Sequence, residues 1–249
     1  MEITLLGTAC AVGGMDRDNT YFLIQNREDC TMVDVGGSPL SKLAKLGISV
    51  HQVKEIIFTH FHIDHVYGLP SLLWGMWLAG RTKPLIIYCS SENEVQLKKW
   101  LEVIDIHQWP VLFEVQIHKY AWRTESLLIK EEELMITTFP SLHLGPTVGL
   151  KIQYKDKVLV YSADTEPNSW IKEQKQIDIM IHEATTAERP RVNHTSLQEI
   201  INYYPLERID QVVAVHLTDT EPYDRVLDSQ VIAIKDKIII GFDFMKINL

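Results

Sequence analysis

The segment IIFTHFHIDHVYGLP, at residues 56–70, places four side chains that can bind metal within six positions. His60, His62, Asp64 and His65 follow a run of apolar residues that is typical of a β-strand. Because side chains alternate across an extended segment, we expect the rings of His60 and His62 to point to the same side. Imidazole nitrogen and carboxylate oxygen are ligands that zinc accepts. A polar loop with helix-capping or solvated histidines is the alternative, but this density of ligand-type residues favours a metal site.

Three further candidate ligands lie where later apolar runs end. His143 follows LMITTF, Asp164 ends KVLVYSAD, and His216 ends QVVAVH. Taken singly, each residue is more typical of a turn, a helix cap or a hydrogen-bonded polar group than of a metal ligand. Their occurrence together with the first cluster predicts a centre that binds two metal ions.

Short apolar runs separated by polar breaks occur along the whole chain. They are rich in Val, Ile, Tyr and Thr, which indicates strands. The predicted strands lie in EITLLG, TYFLIQ, CTMVDVGG, EIIFTH, PLIIYCS, LMITTFP, GLKIQY, KVLVYSAD, IDIMIHEA and QVVAVHLTD. Two segments, SSENEVQLKKWLEVI and HTSLQEIINYY, have helical spacing, and Ser196 with Glu199 forms a predicted capping box. The pattern predicts an α/β fold of two packed mixed sheets flanked by helices.

The composition limits the class of protein. With 249 residues, 46% of them hydrophobic, the chain is long enough for a well-buried core. No linker, low-complexity run or repeat divides it, so we expect a single domain over residues 1–249. The formal net charge of -9 predicts a surface that repels nucleic acid, and DNA is not an expected partner.

The cysteines and the apolar segments bear on location. Cys10, Cys30 and Cys89 are widely spaced without a CxxC pattern, which fits buried thiols in a reducing compartment. The chain starts without a basic segment leading into an apolar stretch. Its longest apolar run, YGLPSLLWGMWLAG, is shorter than the roughly 20 residues that a bilayer requires. We expect a soluble cytoplasmic protein that does not bind a membrane.

The motif THFHIDH resembles the His-x-His-x-Asp-His signature of the metallo-β-lactamase superfamily, and the later candidates occur in the order of its other metal motifs. The resemblance spans nearly the whole chain. It implies the αββα sandwich of that superfamily and two divalent metal ions, with zinc as the expected metal and manganese as the alternative. It also implies that metal one is bound by His60, His62 and His143, that metal two is bound by Asp64, His65 and His216, and that Asp164 bridges them.

Other segments are similar to the ribonuclease Z branch of the superfamily. They are GTACAVGGMDRDNTYFLI, GLPSLLWGMWLAGRTKPLIIY, HEATT, NHTS and VAVHLTD. This resemblance implies that His194 donates the leaving-group proton and that Glu183 positions it, so that both join Asp64 as catalytic residues. A residue at the start of the next helix is the alternative for His194. MVDVGG resembles an early motif in which Asp34 orients metal ligands, although a turn-capping aspartate is nearly as good an interpretation.

The interval between His143 and Asp164 departs from ribonuclease Z, which commonly has a long tRNA-gripping arm there. Here it holds only LGPTVGLKIQYKDKVLVYSA, and the chain has no dense Lys/Arg cluster. We therefore predict a metal-dependent hydrolase of phosphodiester bonds, acting on RNA as a ribonuclease Z-like 3′ tRNA processing enzyme or on a smaller phosphodiester. Hydroxide held between the metals would attack phosphorus.

Two other classes of function stay open at this stage. One is a carboxylic ester, lactone or thioester hydrolase on the same fold, and the other is a non-catalytic metal-binding module. A homodimer is implied by the resemblance alone. Trp74 and Trp77 fit a substrate rim, a dimer face or helix packing, while four cationic residues fit phosphate contacts or solvated loop charges: Arg81, Lys83, Arg189 and Arg191.

Overall fold

The apolar runs pair into two seven-stranded sheets. The computed structural model describes residues 1–249. The first sheet has the order β14-β1-β2-β3-β4-β5-β6 and the second the order β13-β12-β11-β10-β9-β8-β7. The strands are β1 Glu2–Gly7, β2 Tyr21–Asn26, β3 Asp29–Val33, β4 Val53–Ile57, β5 Leu85–Ser90, β6 Val115–Tyr120, β7 Ser126–Lys130, β8 Leu134–Pro140, β9 Val148–Tyr154, β10 Lys157–Tyr161, β11 Ile177–Glu183, β12 Ile209–Val215, β13 Ile238–Ile240 and β14 Lys246–Asn248.

Both sheets are mixed. Strands β3 to β6 pair in parallel in the first sheet, and β10 to β13 pair in parallel in the second. The other neighbours pair antiparallel. Parallel pairing requires crossovers, which the helices supply on the outer faces.

Eight helices lie between the strands, and two 3₁₀ turns follow α4 and α6. The helices are α1 Pro39–Leu46, α2 Ile63–Val66, α3 Leu69–Leu78, α4 Glu94–Val103, α5 Ser169–Lys172, α6 Leu197–Tyr203, α7 Tyr223–Asp228 and α8 Ile232–Lys235. None of them combines the length and apolarity needed to cross a membrane.

Three hydrophobic clusters define four layers. The central cluster joins the inner faces of the two sheets, where the rings of Phe22 and Tyr161 meet edge to face at 4.9 Å. A second cluster packs the first sheet against α1, α3 and α4, and a third packs the second sheet against α5, α6 and α7. Burial on both faces explains the continuous apolar runs of the inner strands. The observed αββα sandwich confirms the predicted fold class.

All ten predicted strands are present, and the four strands that the apolar runs did not indicate lie at the sheet edges. They are β6, β7, β13 and β14. The side chains of β6 are mostly half-buried or exposed, and β13 and β14 have only three residues each. An edge strand faces solvent along one side, so its sequence carries a weaker apolar signal.

Between His143 and Asp164 the chain forms only the hairpin of β9 and β10, joined by a tight turn at residues 155–156. The structure thus has no inserted arm at this position. All three cysteines are buried and unpaired, as the sequence predicted.

The capping box at α6 provides a test of the local fold. Ser196 Oγ accepts from the Glu199 amide at 3.2 Å, while Glu199 Oε2 accepts from the Ser196 amide at 2.9 Å. We expect Ser196→Ala to lower the free energy of unfolding by about 1 kcal/mol, because the helix N-terminus loses an acceptor. Urea denaturation at saturating metal measures this. The control is Ser91→Ala, an exposed serine whose change should stay within about 0.5 kcal/mol; equal effects would contradict the prediction.

Candidate metal centre

The first group of candidate ligands contains three histidines and an aspartate from both sheets. His60 Nε2 and His143 Nε2 each lie 3.1 Å from His62 Nδ1. Asp164 Oδ2 lies 3.8 Å from His60 Nε2 and 3.7 Å from His143 Nε2. His60 and His62 follow β4 of the first sheet, whereas His143 and Asp164 follow β8 and β10 of the second. Ligand atoms of a tetrahedral zinc ion with bonds of about 2.0–2.1 Å lie about 3.3 Å apart, so the spacing suits an ion.

The second group contains Asp64, His65 and His216, again from both sheets. His65 Nε2 is 3.4 Å from Asp64 Oδ2, and His216 Nε2 is 3.6 Å from the same oxygen. Asp164 joins the two groups, because its Oδ1 lies 3.5 Å from His65 Nε2 and its Oδ2 lies 3.4 Å from His216 Nε2. The His/Asp clusters are consistent with a dinuclear metal site in which Asp164 occupies the central position.

Unpartnered atoms support the fit of metal ions to these residues. Five buried side-chain polar atoms have no hydrogen-bond partner, and three of them are His65 Nε2, Asp164 Oδ1 and His216 Nε2. Buried polar atoms are normally hydrogen-bonded, so unpartnered atoms that converge on one point are the arrangement expected of residues that bind a metal ion. Imidazole nitrogens and carboxylate oxygens are the donor set that zinc and manganese bind.

The outer ring nitrogens of four histidines have protein acceptors. His65 Nδ1–H donates to Asp34 Oδ2 at 2.8 Å, and His143 Nδ1–H donates to the Asn193 carbonyl at 2.6 Å. His60 Nδ1 lies 3.1 Å from Thr59 Oγ1, and His216 Nδ1 lies 2.8 Å from Thr185 Oγ1. These contacts hold a proton on Nδ1 and turn Nε2 toward the centre, which is how proteins orient histidine ligands.

Burial and mutual attraction set the charges of the cluster. Burial alone would raise the pKa of Asp164, but the facing His216, His65 and His60 rings hold it well below its ordinary value. Burial alone would lower the pKa of His216, but Asp164 and Asp64 raise it to about 9. Burial and the neighbouring His65 lower the pKa of His60 well below its ordinary value. The Asp164 carboxylate is therefore ionised, and its negative charge is balanced by cationic groups at the centre.

The predicted proton donor lies beside the centre. His194 Nδ1–H donates to Glu183 Oε1 at 2.9 Å, and Glu183 is buried at the end of β11. The His194 ring stacks on His216 with centroids 5.4 Å apart. His194 also forms a group of ligand-capable atoms with Asp164 and His216, which the sequence did not indicate. Its side chain is 18% exposed, compared with 2% for His216, so it reaches the open side of the cluster.

The strand ends that supply the site have unusual backbone geometry. Asp34, Ala163 and His216 have φ values of 59°, 50° and 56°, in the left-handed region that non-glycine residues rarely adopt. Such conformations cost about 1–3 kcal/mol each and persist where the surrounding structure imposes them. Gly36 serves the same region, because a Cβ there would lie 2.0 Å from the Asp64 carbonyl oxygen. The strained backbone lowers stability, but it directs the side chains of Asp34, Asp164 and His216 toward the centre.

The side chains of the remaining candidates form no hydrogen bond or ion pair with the two groups. Arg81 is buried and donates to the carbonyls of Val50, Lys83 and Pro84, so it is neither a phosphate contact nor a solvated loop charge. Trp74 and Trp77 pack edge to face at 4.6 Å, and both also contact the ring of Trp109. The arginines of the loop before His194, Arg189 and Arg191, are exposed, as is Lys83.

Three residues that contact the site were not identified from the sequence: Thr59, Thr185 and Asn193. The contact between His143 and Asn193 joins positions 50 residues apart, which no local pattern could reveal. The threonines are adjacent to or two positions from predicted site residues, in THFH and HEATT, and this proximity was the only available signal.

Asp34 provides a test of ligand orientation. Its carboxylate accepts from the Thr59 amide, the Thr59 hydroxyl and His65 Nδ1, each at 2.8 Å. Asp34→Asn replaces one acceptor oxygen with an NH₂ group, which cannot accept the hydrogen bonds from Thr59 or His65. We therefore expect metal affinity to fall about 10- to 100-fold. Chelator competition measures the affinity. Asp178→Asn, which removes a pair with exposed Lys157, should leave it unchanged; equal affinities for the two variants would contradict the assigned role.

Known proteins resemble this chain in sequence and structure. The ribonuclease Z of Methanothermobacter thermautotrophicus is 24% identical over 238 residues, covering 74% of each protein. That of Prochlorococcus marinus is 28% identical over 160 residues, and the match covers 63% of this chain and 51% of that protein. Human tRNase Z, short form, superposes with a TM-score of 0.80 at 20% identity, covering 100% of this chain and 99% of the other.

The structure of YhfI from Bacillus subtilis, described as a metallo-β-lactamase fold protein, has a TM-score of 0.81 at 17% identity over 98% of both chains. These likenesses confirm the metallo-β-lactamase fold and the relation to ribonuclease Z that the motifs indicated. One family description, "Anti-Pycsar protein Apyc1", matches residues 1–237. With that match over nearly its whole length, the chain belongs to the Anti-Pycsar protein Apyc1 family and has the metallo-β-lactamase fold.

Proposed function

We propose that this protein is a metal-dependent phosphodiesterase that acts on small phosphodiesters. The observation that carries the proposal is the His194–Glu183 pair, held at 2.9 Å beside two joined His/Asp groups. A metal centre alone suits many hydrolases, whereas a carboxylate-bound histidine beside it can protonate a departing alkoxide.

The proposed ligands follow the two groups. His60, His62 and His143 would hold one ion, and Asp64, His65 and His216 the other, with Asp164 shared. Two bound divalent ions supply an activated water and neutralise negative charge on the phosphoryl group. The protein excludes bulk water from the inner atoms, because His60, His65, Asp164 and His216 are almost fully buried.

His194 has the geometry of a proton donor. Glu183 Oε1 accepts from its Nδ1, so the proton available for transfer is the one on Nε2. A carboxylate at Nδ1 stabilises the imidazolium before transfer and fixes the ring plane. The proton passes from Nε2 to the leaving oxygen as its bond to phosphorus breaks, and His194 becomes neutral.

The surroundings of the centre favour a small substrate over tRNA. Four exposed apolar side chains lie one or two positions from site histidines, and the exposed cations of this region are the two arginines of the loop before His194: Ile63, Leu142, Leu144 and Val192, with Arg189 and Arg191. A surface that follows a nucleic acid backbone is instead rich in Lys and Arg. The hairpin between His143 and Asp164 supplies no arm, and the net charge is -9. The activity on tRNA is named only for relatives of this chain. For this chain we propose a substrate with one or a few phosphates.

Two variants separate metal binding from proton donation. We expect His65→Ala to lose metal and activity together, because it removes a ligand. His194→Ala should keep its metal and lose about 10²- to 10⁴-fold in turnover on a dinucleotide, because the alkoxide then leaves unprotonated. Metal content by mass spectrometry and turnover on the same samples measure both. Full turnover by metal-loaded His194→Ala would show that the proton-donor role is wrong.

A substrate panel tests the substrate class. Metal-loaded protein should hydrolyse bis(p-nitrophenyl) phosphate and small diesters such as a dinucleotide or a cyclic mononucleotide faster than p-nitrophenyl acetate. It should leave the 3′ trailer of a precursor tRNA intact. Because few cationic contacts are available, KM should change less than about threefold between about 50 and 200 mM salt. Trailer cleavage that is absent in His65→Ala would contradict the small-substrate proposal, and preference for the acetate would contradict phosphodiester hydrolysis.

A further inference from the structure

The hydroxyl of Thr185 lies at the junction of the proton-donating pair and the metal centre. Thr185 Oγ1 is 2.7 Å from Glu183 Oε2, 2.8 Å from His216 Nδ1 and 3.2 Å from His194 Nδ1. The residue is 2% exposed, so these contacts form away from bulk water. One side chain therefore contacts the proposed proton donor, the carboxylate that holds it and a proposed metal ligand.

Counting protons fixes the direction of each hydrogen bond. An ionised carboxylate only accepts, so the single hydroxyl proton of Thr185 is donated to Glu183 Oε2. The lone pairs of Thr185 Oγ1 then accept the Nδ1–H of His216, whose Nε2 faces the centre without another partner. His194 Nδ1–H has its shorter contact with Glu183 Oε1. Thr185 thus holds the His216 proton on Nδ1 and also fixes the orientation of the Glu183 carboxylate.

Glu183 depends on this contact for its orientation. Its Oε1 accepts from the Thr165 amide at 2.9 Å as well as from His194, whereas Oε2 has the Thr185 hydroxyl and a longer contact of 3.3 Å to the Thr185 amide. Without the hydroxyl, Oε2 keeps only the long contact. The carboxylate can then rotate about its last bond and withdraw Oε1 from His194.

We propose that Thr185 is a positioning residue that aims the His194 proton donor through Glu183 while holding His216 toward the metal centre. The inference rests on the proposed function, since it assigns Thr185 a role in leaving-group protonation. It goes beyond that proposal by linking proton donation and metal binding through one hydroxyl.

The other side of the centre contains the same device without a proton donor. Thr59 Oγ1 donates to Asp34 Oδ2 at 2.8 Å and lies 3.1 Å from His60 Nδ1, and Asp34 in turn accepts from His65. Both histidines of this device are proposed metal ligands. Thr59→Val is therefore a matched control: it removes an equivalent buried hydroxyl from a carboxylate and an imidazole, but on a side that protonates nothing.

Two substrates that differ in their leaving groups test the proposal. Bis(p-nitrophenyl) phosphate releases p-nitrophenolate, a stable anion that needs no proton, whereas a dinucleotide releases an alkoxide that does. At saturating metal we expect Thr185→Val to lose about tenfold or more in turnover on the dinucleotide beyond its loss on bis(p-nitrophenyl) phosphate. Thr185→Ser, which keeps the hydroxyl, should restore the dinucleotide rate to within about threefold of the parent. Thr59→Val should lower both rates by the same factor.

A double variant separates positioning from general damage. If Thr185 aims the proton donor through His194, then adding Thr185→Val to His194→Ala should slow the dinucleotide reaction only by the smaller factor that Thr185→Val loses on bis(p-nitrophenyl) phosphate. Thermal melting and metal content are measured for every variant, and Thr185→Ala replaces Thr185→Val if the latter does not fold. Additive losses, or equal losses on both substrates, would overturn the proposal.

The failure of this inference can be told apart from the failure of the proposed function. If His194→Ala shows no dependence on the leaving group, proton donation by His194 is wrong and the role of Thr185 is overturned with it. If His194→Ala shows that dependence and Thr185→Val at full metal occupancy does not, only the positioning role is overturned.

Discussion

The architecture of this protein depends on bringing buried carboxylates and imidazoles together at one point between two sheets. Asp164 is almost fully buried and lies within 4 Å of the ring nitrogens of four histidines. Burying a carboxylate without compensation is costly, and here imidazoles from both sheets provide the compensation. Directing these groups inward requires unusual backbone geometry. It is seen as left-handed backbone at Asp34, Ala163 and His216 and as a close approach of the chain at Gly36.

A second feature follows from the first. A histidine that binds a metal ion presents a lone pair from one ring nitrogen, so at a buried site its other ring nitrogen needs an acceptor. The protein meets this need twice with a carboxylate and a threonine, at Asp34 with Thr59 and at Glu183 with Thr185. On the first side both attached rings are proposed ligands. On the second side one ring is His194, so the arrangement that orients a ligand also orients the group that we propose gives up a proton.

The sequence predicted the inner strands, the two-sheet fold and the residues that converge at the centre. The prediction was possible because His60, His62, Asp64 and His65 are close in sequence and because the others follow apolar runs. The edge strands β6, β7, β13 and β14 gave a weak signal, since their side chains pack on fewer neighbours. Arg81 was placed among loop charges, because nothing local shows that its guanidinium meets three backbone carbonyls. Contacts such as His143 with Asn193 arise only when the sheets pack together.

The division of the candidate ligands between the sheets has a mechanical consequence. Each group draws side chains from loops of both sheets, so an ion bound there would act as a cross-link across the sandwich. Small proteins commonly obtain such cross-links from disulfides, but the three cysteines of this chain are unpaired. A ligand that binds only the folded state adds its binding free energy to folding stability. Metal supply would therefore govern how firmly the two halves are held together, and with that the lifetime of the folded protein, in addition to its chemistry.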